Sequence, residues 1–388
     1  MKNHNISFVY LIIGLLVLGS CSSSKEEQVS PIIEELKNEY APDKRVAIFD
    51  LKFENGILKG ETDQLKGLQE LKAKLGNEGI KFTDKVRILP SQGLGNQTQA
   101  LITLSVANLR SEPHHSAELS TQATLGTPLK VLKEKEGWYL VQTPDQYLAW
   151  VDEAGIALCD SLKMNNWKES EKVIYTTTTG FAFNDKEESE KISDLVAGNI
   201  LQLAKISQDH FEIVFPDGRT GFIPKSEGML FQNWIKGGEL TDEKLISTAK
   251  TMMGTPYLWG GTSIKGVDCS GFTKTIYYLN GKIIPRDASQ QVREGSLVDT
   301  LKNWENLEVG DLLFFGQPAT ETSKEKVVHV GMWIGNQSFI HSRGRVRISS
   351  FDPKSPLFDE KELNRYLKTK RYRNSPSKGI QNVQEIGI

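Results

Sequence analysis

A repeat in the middle of the chain limits its fold more than any other feature. Gly126…Leu129, Trp138-Tyr139-Leu140-Val141 and Ala149-Trp150-Val151 recur as Gly198…Leu201, Phe211-Glu212-Ile213-Val214 and Gly221-Phe222-Ile223. The aromatic positions stand 12 residues apart in the first copy and 11 in the second. In each copy short alternating stretches are separated by turn residues, Thr143-Pro144-Asp145 and Pro216-Asp217-Gly218, which is the pattern of half-buried strands joined by hairpins. So few short strands bury an apolar face by curling round one another. Two small β-barrels in tandem are predicted, over 96–165 and 166–236.

The flanks read differently. Upstream, Ser30-Pro31 resembles an N-cap followed by a proline at the first helical position, and Ile32, Ile33, Leu36 and Tyr40 continue at helical spacing. A strand over Arg45–Phe53, an Asn55-Gly56 turn and a return from Ile57 follow, then a helix marked by Leu65, Leu68, Leu71 and Leu75 and a strand at Lys85–Leu89. These make a small α+β unit over 31–95 with no reactive cluster. Downstream of about Glu239, glycines become dense and helix and strand patterns mix, predicting an α+β domain over 237–375. A polar tail, 376–388, is expected to be mobile.

The extreme N-terminus is a targeting segment. Lys2 precedes an apolar run from Phe8 to Leu18, which is too short for the roughly 20 residues that span a bilayer. Leu18-Gly19-Ser20-Cys21 resembles a bacterial lipobox, which implies lipidation of Cys21, export, and a membrane anchor on a body facing the periplasm or cell surface. Residues 1–21 are the expected signal and 22–30 a solvated tether. The 47 basic and 49 acidic residues give a net charge of −2, so no basic surplus points to nucleic acid. Three cysteines make no disulfide framework, and no paired spacing suggests zinc.

Chemistry concentrates in Val267-Asp268-Cys269-Ser270-Gly271-Phe272. Phe272, Ile276 and Leu279 lie on one helical face, so a helix starts near Asp268 and stops at Asn280-Gly281. Cys269 falls in its first turn, where free amides and the positive dipole end favour a thiolate. A buried, unreactive cysteine is the plainer alternative. Farther on, Val328, Val330, Met332 and Ile334 alternate with His329, Gly331 and Trp333, and a turn at Gly335-Asn336-Gln337 sends the chain back. A hairpin centred on Asn336 sets His341 opposite Gly331 and puts His329 two positions along on the same face, within about 7–8 Å. Slipping by one residue would part the rings. One imidazole can then take a thiol proton while a second polar group fixes its orientation. Satisfied polar residues on a sheet, or two metal ligands, are the competing roles, but no carboxylate stands at ligand spacing beside them.

Pro256-Tyr257-Leu258-Trp259-Gly260-Gly261, Asp268-Cys269-Ser270-Gly271, Ile284-Pro285-Arg286, Val309-Gly310-Asp311-Leu312, His329-Val330-Gly331 and Ile340-His341-Ser342 resemble, in order, the NlpC-type cell-wall peptidases of papain-like fold. Val106-Ala107-Asn108-Leu109-Arg110-Ser111-Glu112-Pro113 resembles the bacterial SH3-like domain; the second copy lacks this lead-in. The resemblance implies a multidomain α+β chain: a small α+β unit, two SH3-like barrels and a papain-like catalytic domain. It implies Cys269 as nucleophile, His329 as base and His341 as orienting residue, with an amide at the nucleophile and a group near Tyr257 holding the oxyanion. No cofactor or metal is implied.

The two-barrel layout is similar to γ-D-glutamyl-L-diamino-acid endopeptidases (dipeptidyl-peptidase VI), which act on murein-derived peptides with a free N-terminal L-Ala. That likeness implies Asp268 and Glu112 for the amine, and Tyr147, Tyr257, Ser270 and Arg286 for other substrate contacts. Ala288 departs from the serine often found there. A monomer is expected. An inactive wall-binding lipoprotein, or an amidase or acyltransferase of the same superfamily, stays open on sequence alone.

Overall fold

The computed structural model describes residues 20–386, and two compact units divide the chain at Gln92/Gly93. The leader over 1–19 and the Cys21 side chain lie outside what is described. In the first unit a helix runs Ser20–Tyr40, so Ser30 does not cap it and residues 22–30 are not a loose tether. Pro31 sits inside this helix; the helix loses only that one donor, and Ser30 Oγ donates back to the Glu26 carbonyl (2.8 Å). Strands Phe49–Glu54 and Ile57–Thr62 form the hairpin at Asn55-Gly56, and Thr83–Ile88 adds in parallel after the helix Leu65–Asn77. Leu36, Leu68, Leu71 and Leu75 fill the core between helices and sheet.

The second unit carries two seven-stranded antiparallel sheets. The first runs, neighbour to neighbour, Leu119–Thr124, Val106–Arg110, Leu148–Asp152, Trp138–Gln142, Pro128–Lys135, Gln99–Ile102, Ile156–Cys159. The second runs Lys191–Val196, Thr179–Phe183, Thr220–Pro224, His210–Val214, Ile200–Ile206, Lys172–Tyr175, Gly228–Leu230. The strand order is the same in both, position for position. Thr179–Phe183 takes the place of Val106–Arg110, so the missing lead-in motif costs the second copy no strand.

A six-stranded antiparallel sheet follows, ordered Ser296–Asp299, Tyr366–Arg371, Leu312–Gln317, Lys326–Gly335, Ser338–Arg343, Arg345–Ser350. The helix Cys269–Leu279 lies on it, with Phe272 and Ile276 packed among Val330, Met332, Ile340 and Val346. Each such fully buried side chain contributes roughly 1.5–3 kcal/mol.

The C-terminal segment is not loose. Gln381–Asn382 pairs with Lys282–Ile283, the Val383 N–H bonds the Gly281 carbonyl (3.0 Å), and Val383 is buried. The apolar side chains Ile380, Val383 and Ile386, three apart, outweigh the polar composition that suggested a mobile tail.

Candidate active site

Asp268 caps the helix Cys269–Leu279, its Oδ1 accepting from the Gly271 N–H at 2.7 Å, which fixes Cys269 as the first helical residue. Asn280 and Gly281 (φ 80°) end that helix where the sequence places its stop. Cys269 is buried, its thiol in reach of the Ser270 and Val330 amides. Val330 adjoins His329, so helix start and strand meet at the sulfur.

The histidine hairpin has the register read from its turn. Met332 pairs with Ile340 and Trp333 with Phe339, while Asn336 and Gln337 take left-handed φ values of 50° and 51°. His329 and His341 share a face, and His329 Nε2 and His341 Nδ1 are hydrogen-bonded at 2.7 Å. That leaves His329 Nδ1 as the ring nitrogen free for another task. His341 Nε2 lies 3.0 Å from Ser349 Oγ, which in turn donates to Asp359 Oδ2 (3.1 Å).

Electrostatics at the sulfur differ from the sequence expectation. Burial pushes the Cys269 thiol up to about 12; the Asp268 charge adds to this, and the Val330 and Ser270 amides oppose it. Desolvation outweighs the dipole of one helix. Burial also holds His329 well below 6.5, His341 pressing the same way, and brings His341 to about 3 with help from Arg347, Arg343 and Arg365. Burial thus favours the neutral forms of the thiol and of both imidazoles.

Several residues expected to touch substrate are engaged with one another. Arg286, almost wholly buried, donates from Nη1 to Asp268 Oδ1 (3.1 Å) and Ser270 Oγ (3.1 Å), and from Nη2 to Asp268 Oδ2 (2.6 Å). Its Nε donates to Thr121 Oγ1 of the first barrel (3.1 Å). Asp268 also accepts from the Gly260 N–H (3.0 Å), and Ser270 Oγ lies 3.3 Å from Oδ1. Five donors exceed the roughly four lone-pair positions of a carboxylate, so Asp268 has none to spare. Tyr147 is buried and its hydroxyl donates to Asp287 Oδ2 (3.1 Å). The Tyr257 hydroxyl has no hydrogen-bond partner among the described residues. Burial raises its pKa, and Cys269 and Asp268 raise it further, placing it within their electrostatic reach. Glu112 is exposed, on the loop between Val106–Arg110 and Leu119–Thr124. From that loop Glu118 accepts the Trp259 indole N–H (2.5 Å).

Gly260 shows how close the barrel comes. Its φ is 81°, and a Cβ there would fall 2.1 Å from the Leu119 carbonyl oxygen. Beside it Thr262 donates through its N–H to Gln122 Oε1 (2.9 Å), and Lys274 forms a partly buried ion pair with Asp145 (2.7 Å).

Residues 254–363 match the family model described as NlpC/P60 family, and 109–156 match the bacterial dipeptidyl-peptidase SH3 domain. A Lysinibacillus sphaericus protein named dipeptidyl-peptidase 6 is 30% identical over 273 residues, covering 67% of this chain and 94% of its own. The chain belongs to the NlpC/P60 family. A Bacillus cereus relative named gamma-D-glutamyl-L-lysine dipeptidyl-peptidase is 32% identical over 233 residues, 58% of this chain and 67% of its own. The crystal structure of an NlpC/P60 family protein from Bacillus cereus aligns with a TM-score of 0.61 at 28% identity, over 71% of this chain and 99% of that one.

Sequence reasoning missed the carboxylate behind the histidines. Ligand atoms of His329, His341 and Glu362 lie within 4.8 Å of one another. Glu362 already accepts from Arg343 Nη1 (3.0 Å) and Arg365 Nη2 (2.6 Å), so a cation would have to sit against two guanidiniums. The donor set does not fit a metal. Ser349 had a readable signal, because alternation along Val346-Arg347-Ile348-Ser349 puts it on the His341 face. Glu362 and Asp359 lie in a loop and a short helix, where no periodicity could place them.

Proposed function

We propose that this NlpC/P60 cysteine peptidase hydrolyses the γ-D-glutamyl–L-diamino-acid bond of peptidoglycan stem peptides that begin with a free L-Ala. The observation that carries the chemistry is the 2.7 Å bond between His329 and His341 beside the helix-start cysteine. The names of the relatives support the choice of bond.

In this reading His329 Nδ1 takes the Cys269 proton as the sulfur attacks the γ-carbonyl carbon. A neutral resting thiol makes this a general-base step rather than attack by a standing thiolate. The oxyanion meets the Cys269 N–H, which has no acceptor among the described residues, and the Tyr257 hydroxyl. The imidazolium then returns its proton to the departing amino group, the C–N bond breaks, and an L-Ala-γ-D-Glu thioester remains. Water, deprotonated by the same Nδ1, attacks the thioester carbonyl; the C–S bond breaks and the thiol is restored.

Recognition of the free amine, expected of Asp268 and Glu112 together, falls chiefly on Glu112, because Arg286 already neutralises Asp268. An acylated N-terminus cannot pair with a carboxylate and is disfavoured. Arg286, Ser270 and Asp268 then act from beneath, holding the nucleophile to the first barrel.

Release of L-Ala-γ-D-Glu from L-Ala-γ-D-Glu-L-Lys, followed by chromatography, tests the reading. Wild type should release the dipeptide and Cys269→Ala should not. No release by either supports an inactive wall-binding protein; transfer to an added amine in place of hydrolysis supports an acyltransferase. Equal cutting of the N-acetylated peptide would remove the amine gate.

The chain is further proposed to be an exported bacterial lipoprotein, anchored through Cys21 with its body in the periplasm or at the surface, and to act as a monomer. Fatty-acid labelling that survives Cys21→Ala would overturn the anchor.

A further inference from the structure

The hydrogen bonds that begin at His329 do not stop at His341. His329 Nε2, His341 Nδ1, His341 Nε2, Ser349 Oγ and Asp359 Oδ2 form one line with links of 2.7, 3.0 and 3.1 Å. Each inner member could carry the line in either direction. A neutral imidazole has one donor and one acceptor nitrogen, and a hydroxyl can do both. The end member cannot, because a carboxylate only accepts. Arg347 Nη2 (3.1 Å) and Arg343 Nη1 (3.6 Å) also approach Asp359 Oδ2, and the Glu362 N–H bonds Oδ1 (3.1 Å).

Direction follows from that end. The Ser349 hydrogen must point to Asp359, which turns an Oγ lone pair toward His341 Nε2. His341 Nε2 therefore carries its hydrogen and His341 Nδ1 accepts. His329 Nε2 must then be the donor, and His329 Nδ1 is left bare, the state a base for the Cys269 thiol needs. Reversed, the line would put a hydrogen on Nδ1 and leave the thiol proton no acceptor. We propose that Asp359 is a positioning residue that sets the tautomer of His329 through Ser349 and His341. This deepens the peptidase reading above and rests on His329 being its base. Burial keeps His341 neutral, so one of its nitrogens always remains an acceptor.

Asp359 also caps the helix Glu360–Arg365, a task that asparagine performs equally well, so Asp359→Asn separates the two roles. Its amide nitrogen can donate to Ser349 and let the line reverse. The test uses the full chain with ¹⁵N-labelled histidine, reading by NMR which ring nitrogens carry hydrogen, together with steady-state kinetics on L-Ala-γ-D-Glu-L-Lys. Wild type should hold the His329 hydrogen on Nε2. Asp359→Asn should move hydrogen onto Nδ1 and lower kcat about 10- to 100-fold with KM unchanged, less than the roughly 10⁴-fold seen when such a contact is lost directly at the base. Ser349→Ala, which leaves the cap and the arginine contacts in place, should lower kcat similarly. An unchanged kcat in Asp359→Asn, or a fall in rate with the hydrogen still on Nε2, overturns the proposal. A wild type that cuts no peptide but shows this dependence of tautomer on Asp359 would sink the peptidase reading and leave the relay standing.

Discussion

The two barrels share every strand position, yet they meet the catalytic domain in opposite ways. The first sends polar side chains to the loops around the nucleophile: Thr121 to Arg286, Gln122 to Thr262, Glu118 to Trp259, Tyr147 to Asp287. The second meets the far end of the nucleophile helix, where Tyr278 donates to the Gly198 carbonyl (2.7 Å), and an exposed pair joins Asp194 to Lys265. One topology thus serves two purposes, and the side chains on one edge strand and the loops beside it distinguish them. The first barrel is bonded to the residues around Cys269, and the second to the other end of its helix.

The largest effect expected to sharpen this contrast is at Arg286, the buried link between the first barrel and the helix cap. Arg286→Met should cost about 3–5 kcal/mol in urea unfolding, because Asp268 is left as an uncompensated buried charge. Among the described residues, no comparable side chain ties the second barrel to Cys269. A loss under 1 kcal/mol would break the contrast at its centre.

Acid should weaken the catalytic domain next. His341 titrates at about 3 when folded and near 6.5 when unfolded, so the unfolded chain binds the extra proton between those values. Stability should therefore fall as pH drops through 6.5, by about 1.4 kcal/mol per unit from this group, and level off near 3. His341→Gln should remove this group's share of the slope and leave the share of His329, which burial also holds below 6.5. Urea midpoints between pH 7 and 4 test it, and an equal slope in the variant would contradict it.

Smaller effects should split by barrel. Glu118→Ala should lower kcat/KM about tenfold, near 1.4 kcal/mol, by freeing Trp259, whose neighbour Gly260 bonds Asp268, with little change in thermal midpoint. Asp194→Ala removes an exposed pair and should cost at most about 1 kcal/mol of stability, leaving kcat/KM intact. If Asp194→Ala slows the enzyme as much as Glu118→Ala does, the barrels are not different in kind.

Much of this was legible in local pattern. The aromatic spacing of the repeat announced two barrels, and the Asn336 turn fixed the histidine register, because a period of two leaves no intermediate placement. The nucleophile helix was bounded by Asp268 and Asn280-Gly281, both strong end signals. Charge in the interior was not legible. Asp268 reads as a free carboxylate until Arg286, eighteen residues on, is seen to fill it, and the thiol reads as acidic until its burial is known. Asp359 and Glu362 lay behind His341 with no spacing to betray them. Pro31 misled because one missing donor does not end a helix that packs Val29, Ile33 and Leu36 into a core.

The proposal rests most on Cys269, whose thiol burial holds protonated, attacking the carbonyl of a peptide with a free N-terminus. Alkylation by an L-Ala-γ-D-Glu diazomethyl ketone, mapped by peptide mass spectrometry, tests this most directly. The account predicts label on Cys269 alone, none on buried Cys159, slow reaction with iodoacetamide and little with the N-acetylated probe. Label at Cys159 matching that at Cys269, or a Cys269 that ignores the probe, would contradict it.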